Sequence, residues 1–178
     1  QQAGQILRSV ARTIEDLHKL GLLHRGIGPD SIWILQDGTV KMLDFEATKQ
    51  YVLSEINGTE AVMKEGFAPS EQYAGPDGQG TWTDVYALGA VLYRLLTGKV
   101  PEESVERALD DELQEPSKLG VSLPISVENA LMNALNVYQK DRTSSASVFL
   151  KELTGNDTKR IQVTQHKSCL LYTSDAAD

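Results

Sequence analysis

Two neighbouring stretches hold the side chains on which chemistry could rest: Leu23-His24-Arg25-Gly26-Ile27-Gly28-Pro29-Asp30-Ser31-Ile32 and Leu43-Asp44-Phe45-Glu46. Asp44 and Glu46 supply carboxylates, which suit hard cations such as magnesium. Ser31 supplies a hydroxyl, a short and weak metal ligand. Gly26 and Gly28 supply no side chain at all, and a glycine cannot accept a proton. His24 supplies an imidazole. The plainer readings are a loop glycine at 26, a serine leading into a strand at 31, and an aspartate closing a hairpin strand at 44.

The rest of the composition narrows the class of protein that could present these groups. At 178 residues and 19.5 kDa the chain is long enough for one core that buries roughly 70% of its unfolded surface. Hydrophobic residues make up 40% and charged residues 24%, ordinary for a globular protein. No apolar run reaches the ~18 residues a membrane span requires, and Gln1-Gln2-Ala3 opens without the basic start of a signal peptide. A net charge of −8 and a pI near 4.9 argue against a nucleic-acid partner, which needs a basic face. Cys169 is the single cysteine, so neither an internal disulfide nor a multi-thiolate metal site is available. The segment 169–178 resembles the in-frame translation of a sequencing-adaptor end and is expected to add nothing to the fold.

The elements around the loop follow from periodicity. Ile6, Leu7, Val10, Ile14, Leu17 and Leu20 recur at helical spacing, with Gly21 as the stop. Two short apolar runs, 32–35 and 40–43, flank Gln36-Asp37-Gly38-Thr39, where Asp-Gly signals a tight hairpin turn. Residues 47–65 are polar and aperiodic and read as a long surface loop, and the glycine-rich cluster 75–80 reads as a turn. The run 85–96 is apolar on nearly its whole circumference, with Thr83 or Asp84 as N-cap and Gly98 and Pro101 as stops. It should be the most buried helix, with the loop at Gly26 against its N-terminal end. Further helices are expected over 104–113, over 127–138 after Pro124 with Ser126 as cap, and over 147–153 before Gly155.

Five signals in order give these elements a family. They are His24-Arg25, Asp44-Phe45, Ala68-Pro69-Ser70-Glu71-Gln72-Tyr73, Thr83-Asp84-Val85-Tyr86-Ala87-Leu88-Gly89 and Lys140-Asp141-Arg142. Together they resemble the C-terminal lobe of a serine/threonine protein kinase of the bacterial type. A kinase catalytic loop reads His-Arg-Asp, four residues, then Asn, followed by Asp-Phe-Gly. On that pattern Gly26 stands for the aspartate that takes the substrate proton, and Ser31 for the asparagine that holds a magnesium ion. Gly28 stands where such kinases carry serine, or in other kinases a lysine near the transferred phosphate. Asp44 matches the magnesium-binding aspartate, and Glu46 replaces the glycine after it.

The resemblance implies a mainly α fold: a kinase-like C-terminal lobe, a helical bundle around a buried central helix, with one small β-hairpin at the catalytic loop. It implies a partial kinase domain over 1–154, with the N-terminal lobe lost to truncation or never present, and a tail over 155–168. ATP and magnesium are the family's cofactors; none is expected for this chain. Glu46 would repel nucleotide phosphates or serve as a substitute metal ligand beside Asp44. Trp33 and Leu43 lie at adenine-contact positions, where the indole would stack on a base or, on the preferred reading, fill the cavity. Glu71 and Arg142 match a buried ion pair, Asp84 matches the aspartate that accepts the loop's backbone N–H groups, and His24 is expected to pack beneath the loop rather than to titrate in catalysis. Retained scaffold beside altered chemistry is the pattern of a pseudokinase, expected in the cytoplasm as a scaffold for a protein partner or an allosteric partner of an active kinase in signalling. The alternatives are a fragment of an active serine/threonine kinase and a half-domain that does not fold stably alone.

Overall fold

The computed structural model describes residues 2–45, 63–75 and 78–155. Eight helices and strands organise them. Helix α1 runs Gln2–Lys19, strands β1 and β2 run Ile32–Ile34 and Val40–Met42, and a single turn of helix, α2, covers Ser70–Tyr73. Then come α3 (Thr81–Thr97), the one-turn α4 (Ser104–Arg107), α5 (Ile125–Ala134) and α6 (Ala146–Thr154). The fold is mainly α with one small antiparallel hairpin.

Helix α3 is the centre, and its sequence explains why. Residues 83–93 are buried in an unbroken run, and Val85, Tyr86, Leu88 and Ala90 are fully covered. Helices α1, α5 and α6 pack on it, and α6 packs on both α1 and α5, bringing Leu7, Val10, Ile14, Leu131, Leu135 and Phe149 into one core. Burial of this many aliphatic and aromatic side chains, each contributing about 1.5–3 kcal/mol, is the dominant stabilising term. Gly89 lies mid-helix because a Cβ there would come within 3.1 Å of Ala134 Cβ and 3.2 Å of Leu135 Cγ. The last turn of α3 surfaces, with Leu95 51% exposed, so the all-round apolar pattern buries the helix only through Tyr93.

Several boundaries differ from the periodicity, each for a visible reason. The N-cap of α3 is Gly80, whose N–H donates to Thr83 Oγ1 at 3.1 Å; Asp84 is used elsewhere. Helix α4 stops after one turn instead of reaching 113. Its continuation piles up Asp110, Asp111 and Glu112, and the Asp111 carboxylate turns to Arg107 and the Leu113 amide, competing with helical bonding. Helix α5 begins at Ile125 after Pro124, with Ser126 inside it, and ends at Ala134 rather than 138. The backbone leaves the helix at Leu135 (φ −90°, ψ 6°), where the Asn136 N–H turns to the Asn133 carbonyl at 3.3 Å, and the carbonyls of Asn136 and Val137 then accept from Arg142 at 2.8 and 2.7 Å. Helix α6 is capped by Ser145, whose Oγ accepts from the Val148 N–H.

The hairpin is compact. Ile32, Trp33 and Ile34 face Met42, Lys41 and Val40 in antiparallel register, and Gly38 turns the chain at a φ of 82°. β2 packs on α1 through the buried Met42, which fixes the hairpin to the helical body. Most of the 47–65 loop and all of the 156–178 tail lie outside the described residues.

Candidate functional site

The loop between α1 and β1 is held from below by a single carboxylate. Asp84 is fully buried at the start of α3; its Oδ2 accepts the His24 N–H and its Oδ1 the Arg25 N–H, both at 2.8 Å. His18, near the end of α1, brings its Nε2 to 2.8 Å from the same Oδ2. Three elements therefore converge on one side chain. Arg25 sits at a positive φ of 62°, unusual for a non-glycine residue and stabilised here by that amide bond and by Gln72, whose Nε2 donates to the Arg25 carbonyl at 2.9 Å. The Arg25 guanidinium donates through Nε to Gln79 Oε1 at 2.8 Å.

His24 is buried beneath the loop. Its Nδ1 receives the Gly26 N–H at 3.3 Å, and its ring lies 4.7 Å from that of Phe45, tilted by 46°. Burial holds the imidazole below its ordinary value of 6.5, with the Asp84 charge opposing that shift. The neutral form is the one the fold favours.

Ser31 is fully buried, and both capacities of its hydroxyl are used inside the loop. The Oγ accepts the Gly28 N–H at 2.9 Å and donates to the Gly28 carbonyl at 2.8 Å, closing residues 28–31 into a tight turn. The Ser31 carbonyl accepts the Leu43 N–H at 2.8 Å and so joins the loop to the end of β2. Gly26 and Gly28 are both buried. Asp44, like Arg25, has a φ of 62°, and it is partly exposed. Its Oδ2 lies 2.8 Å from the Lys64 ammonium, which also sits 3.0 Å from Asp30.

Trp33 is 58% exposed and therefore plugs no cavity among the described residues. It stands on β1 of the two-stranded hairpin. Leu43 is 41% exposed close by. Glu46 lies outside the described residues.

A second polar centre lies under α2. Arg142 Nη1 meets Glu71 Oε1 at 2.6 Å and Nη2 meets Oε2 at 3.2 Å. Further N–H groups of the same guanidinium donate to the carbonyls of Trp82, Asn136 and Val137, and Thr83 donates its hydroxyl to Glu71. The guanidinium also stacks 5.0 Å from the Tyr86 ring. This joint ties the segment at 70–73 to the late helices.

The structure thus gathers His24, Arg25, Gly26, Gly28, Ser31, Asp44 and Asp84 around one loop, and Glu71 with Arg142 in a neighbouring joint. Sequence reasoning missed His18 and Lys64. Neither residue carries a spacing signal, because their partners lie 66, 34 and 20 positions away. Among the described residues no three of His, Cys, Asp or Glu cluster as a metal site, and no helix is long and apolar enough to cross a membrane.

Comparison with known proteins agrees with this architecture. The protein kinase domain family matches residues 1–168. Serine/threonine-protein kinase F of Synechocystis is 31% identical over 153 residues, covering 84% of this chain and 30% of that protein. Serine/threonine-protein kinase PknB of Mycobacterium leprae is 26% identical over 184 residues, covering 96% and 30%. The solved structure of PpkA-294 in its apo form superposes with a TM-score of 0.71 at 33% identity, covering 84% of this chain and 52% of that one. The chain spans less than a third of the length of these curated relatives. It belongs to the protein kinase domain family and is similar to that family's bacterial serine/threonine members.

Proposed function

We propose that the chain is part of a kinase-fold module whose phosphotransfer chemistry is impaired, a pseudokinase that works through its surface as a scaffold or as an allosteric partner of an active kinase. The observation that carries this reading is the loop at Gly26, with residues 28–31 closed upon themselves. Gly26 places no acceptor where the family places its base, and the loss of a positioned base costs roughly 10²- to 10⁴-fold in rate. The Ser31 hydroxyl is engaged on both sides by Gly28. Asp44 shares its Oδ2 with an ammonium rather than standing open.

These residues are a poor fit to the family's magnesium and ATP. A cation on Ser31 would have to compete within a buried turn that already engages the hydroxyl as donor and as acceptor, and one on Asp44 Oδ2 would meet the positive charge of Lys64 at close range. We therefore assign no cofactor to this chain and derive no step through one. Trp33 and Leu43, both partly exposed, remain the residues that would meet an adenine in a longer protein. The cytoplasm and a protein partner are the setting this reading calls for.

A second reading is supported by the relatives, which are named serine/threonine kinases, and by the retained Asp44, Glu71, Asp84 and Arg142: the chain would be a piece of an active kinase. One assay separates the two. In a protein extended to include an N-terminal lobe, Gly26→Asp with Ser31→Asn and Glu46→Gly should raise peptide phosphorylation by roughly 10²-fold or more. If the unaltered protein already phosphorylates as fast as the restored one, the pseudokinase reading is wrong.

A further inference from the structure

Lys64 precedes the Gly66 turn, and its side chain reaches back across the loop. Its ammonium lies 2.8 Å from Asp44 Oδ2 and 3.0 Å from either oxygen of Asp30, so one cation joins a residue after β2 to a residue before β1. The position is one-fifth exposed, far more sheltered than Asp30. Gly28 makes room for it. A Cβ built there would fall 3.0 Å from Lys64 Cδ and 2.7 Å from Asp30 Oδ1. Gly28 has an extended φ of −161°, which any residue adopts, so the missing side chain answers to space rather than to backbone conformation.

The far end of the lysine is anchored as well. The Lys64 carbonyl accepts the Phe67 and Ala68 N–H groups, both at 2.9 Å, and begins the turn at Gly66. Gly66 has a φ of 74°, and a Cβ there would collide with Val100 Cγ1 and the Pro101 carbonyl. The lysine backbone is thereby set against the α3–α4 connection while its ammonium is set against the catalytic loop.

From this we infer that Lys64 is a positioning residue that supplies from within the chain the positive charge at Asp44, fastening the approach to Gly66 onto the loop without a metal ion. The inference rests on the pseudokinase reading only in treating Asp44 as a structural partner. Lys64→Met keeps the stem and removes the charge, and Lys64→Arg keeps the charge. In the chain as it stands, without divalent ions, Lys64→Met should melt roughly 2–4 °C lower. It should also speed amide exchange at Phe67 and Ala68 by about threefold or more, with Lys64→Arg close to the parent in both. Gly28→Ser should reproduce the exchange effect by displacing the stem. Added manganese, followed by water-proton relaxation, should bind Lys64→Met at least about tenfold tighter than the parent, and Asp44→Asn should abolish the gain. Parent-like melting and exchange in Lys64→Met, or manganese binding as tight in the parent as in Lys64→Met, would overturn the inference. A parent chain that lacks manganese binding and yet phosphorylates peptide once extended would instead overturn the pseudokinase reading and leave Lys64 in place.

Discussion

The joint under α2 and the loop above α3 are both built from polar groups close to the same helix, yet they are built to opposite ends. At the joint, Arg142 donates to five acceptors and Glu71 accepts from two residues, all in contact with the core. At the loop, the backbone is held by two amide bonds to Asp84, while positions 26 and 28 carry glycine and the hydroxyl at 31 is bonded within the loop, positions that on the proposed reading are those of a kinase's reactive side chains. A framework can be kept for its own sake. Where charge is buried its partners must stay, because removing one partner strands the other. Where a side chain serves only chemistry, its loss leaves packing intact.

The sharpest way to break this contrast is at the joint. Arg142→Ala should cost about 3–5 kcal/mol, since it leaves Glu71 buried and unpaired and frees three carbonyls. Thermal unfolding followed by circular dichroism would measure it, and an unchanged melt would remove the distinction between the two regions. Next in size is Asp84→Ala. Two amides that depend on the carboxylate, those of His24 and Arg25, would lose their acceptor, costing about 2–4 kcal/mol and loosening the loop before the rest of the protein unfolds. Faster exchange of those two amides is the local readout.

Ser31→Ala sharpens the comparison from the other side. If the hydroxyl serves the turn, its loss should cost about 1–2 kcal/mol in urea unfolding. A neutral result would release Ser31 from the structural role assigned to it. The smallest effect is one of pH. Because burial lowers the folded-state value of His24, the unfolded chain binds the proton more readily. The His24 contribution is therefore intact above 6.5, and stability falls as pH drops below that value. A denaturation series from pH 7.5 to 5 should show the slope, and His24→Gln should flatten it.

Legibility in the sequence followed the range of the interaction. Local signals placed α1 by its apolar stripe, the hairpin by Asp37-Gly38, and the centre of the bundle by the run at 85–96. The order of short motifs drew the loop, Asp84, Glu71 and Arg142 into one expectation of fold. Element ends were less legible. Helix α5 leaves the helical path at Leu135, and the segment beyond it is held by Arg142, six residues past Asn136, a partner that no helical period in 125–138 reports. Trp33 shows the same limit, since its type fits either a filled cavity or an exposed strand face.

What the sequence determined by itself is therefore the order of elements and the chemical types at the loop: glycine at 26 and 28, hydroxyl at 31, carboxylate at 44. Only the tertiary structure decided how those types are spent. Folding brings His18 to Asp84 across 66 positions and Lys64 to Asp44 across 20. The physical reason is that hydrogen bonds and ion pairs act over about 3 Å in space, whatever the separation along the chain, so a partner contributed by a distant segment leaves no mark in local periodicity.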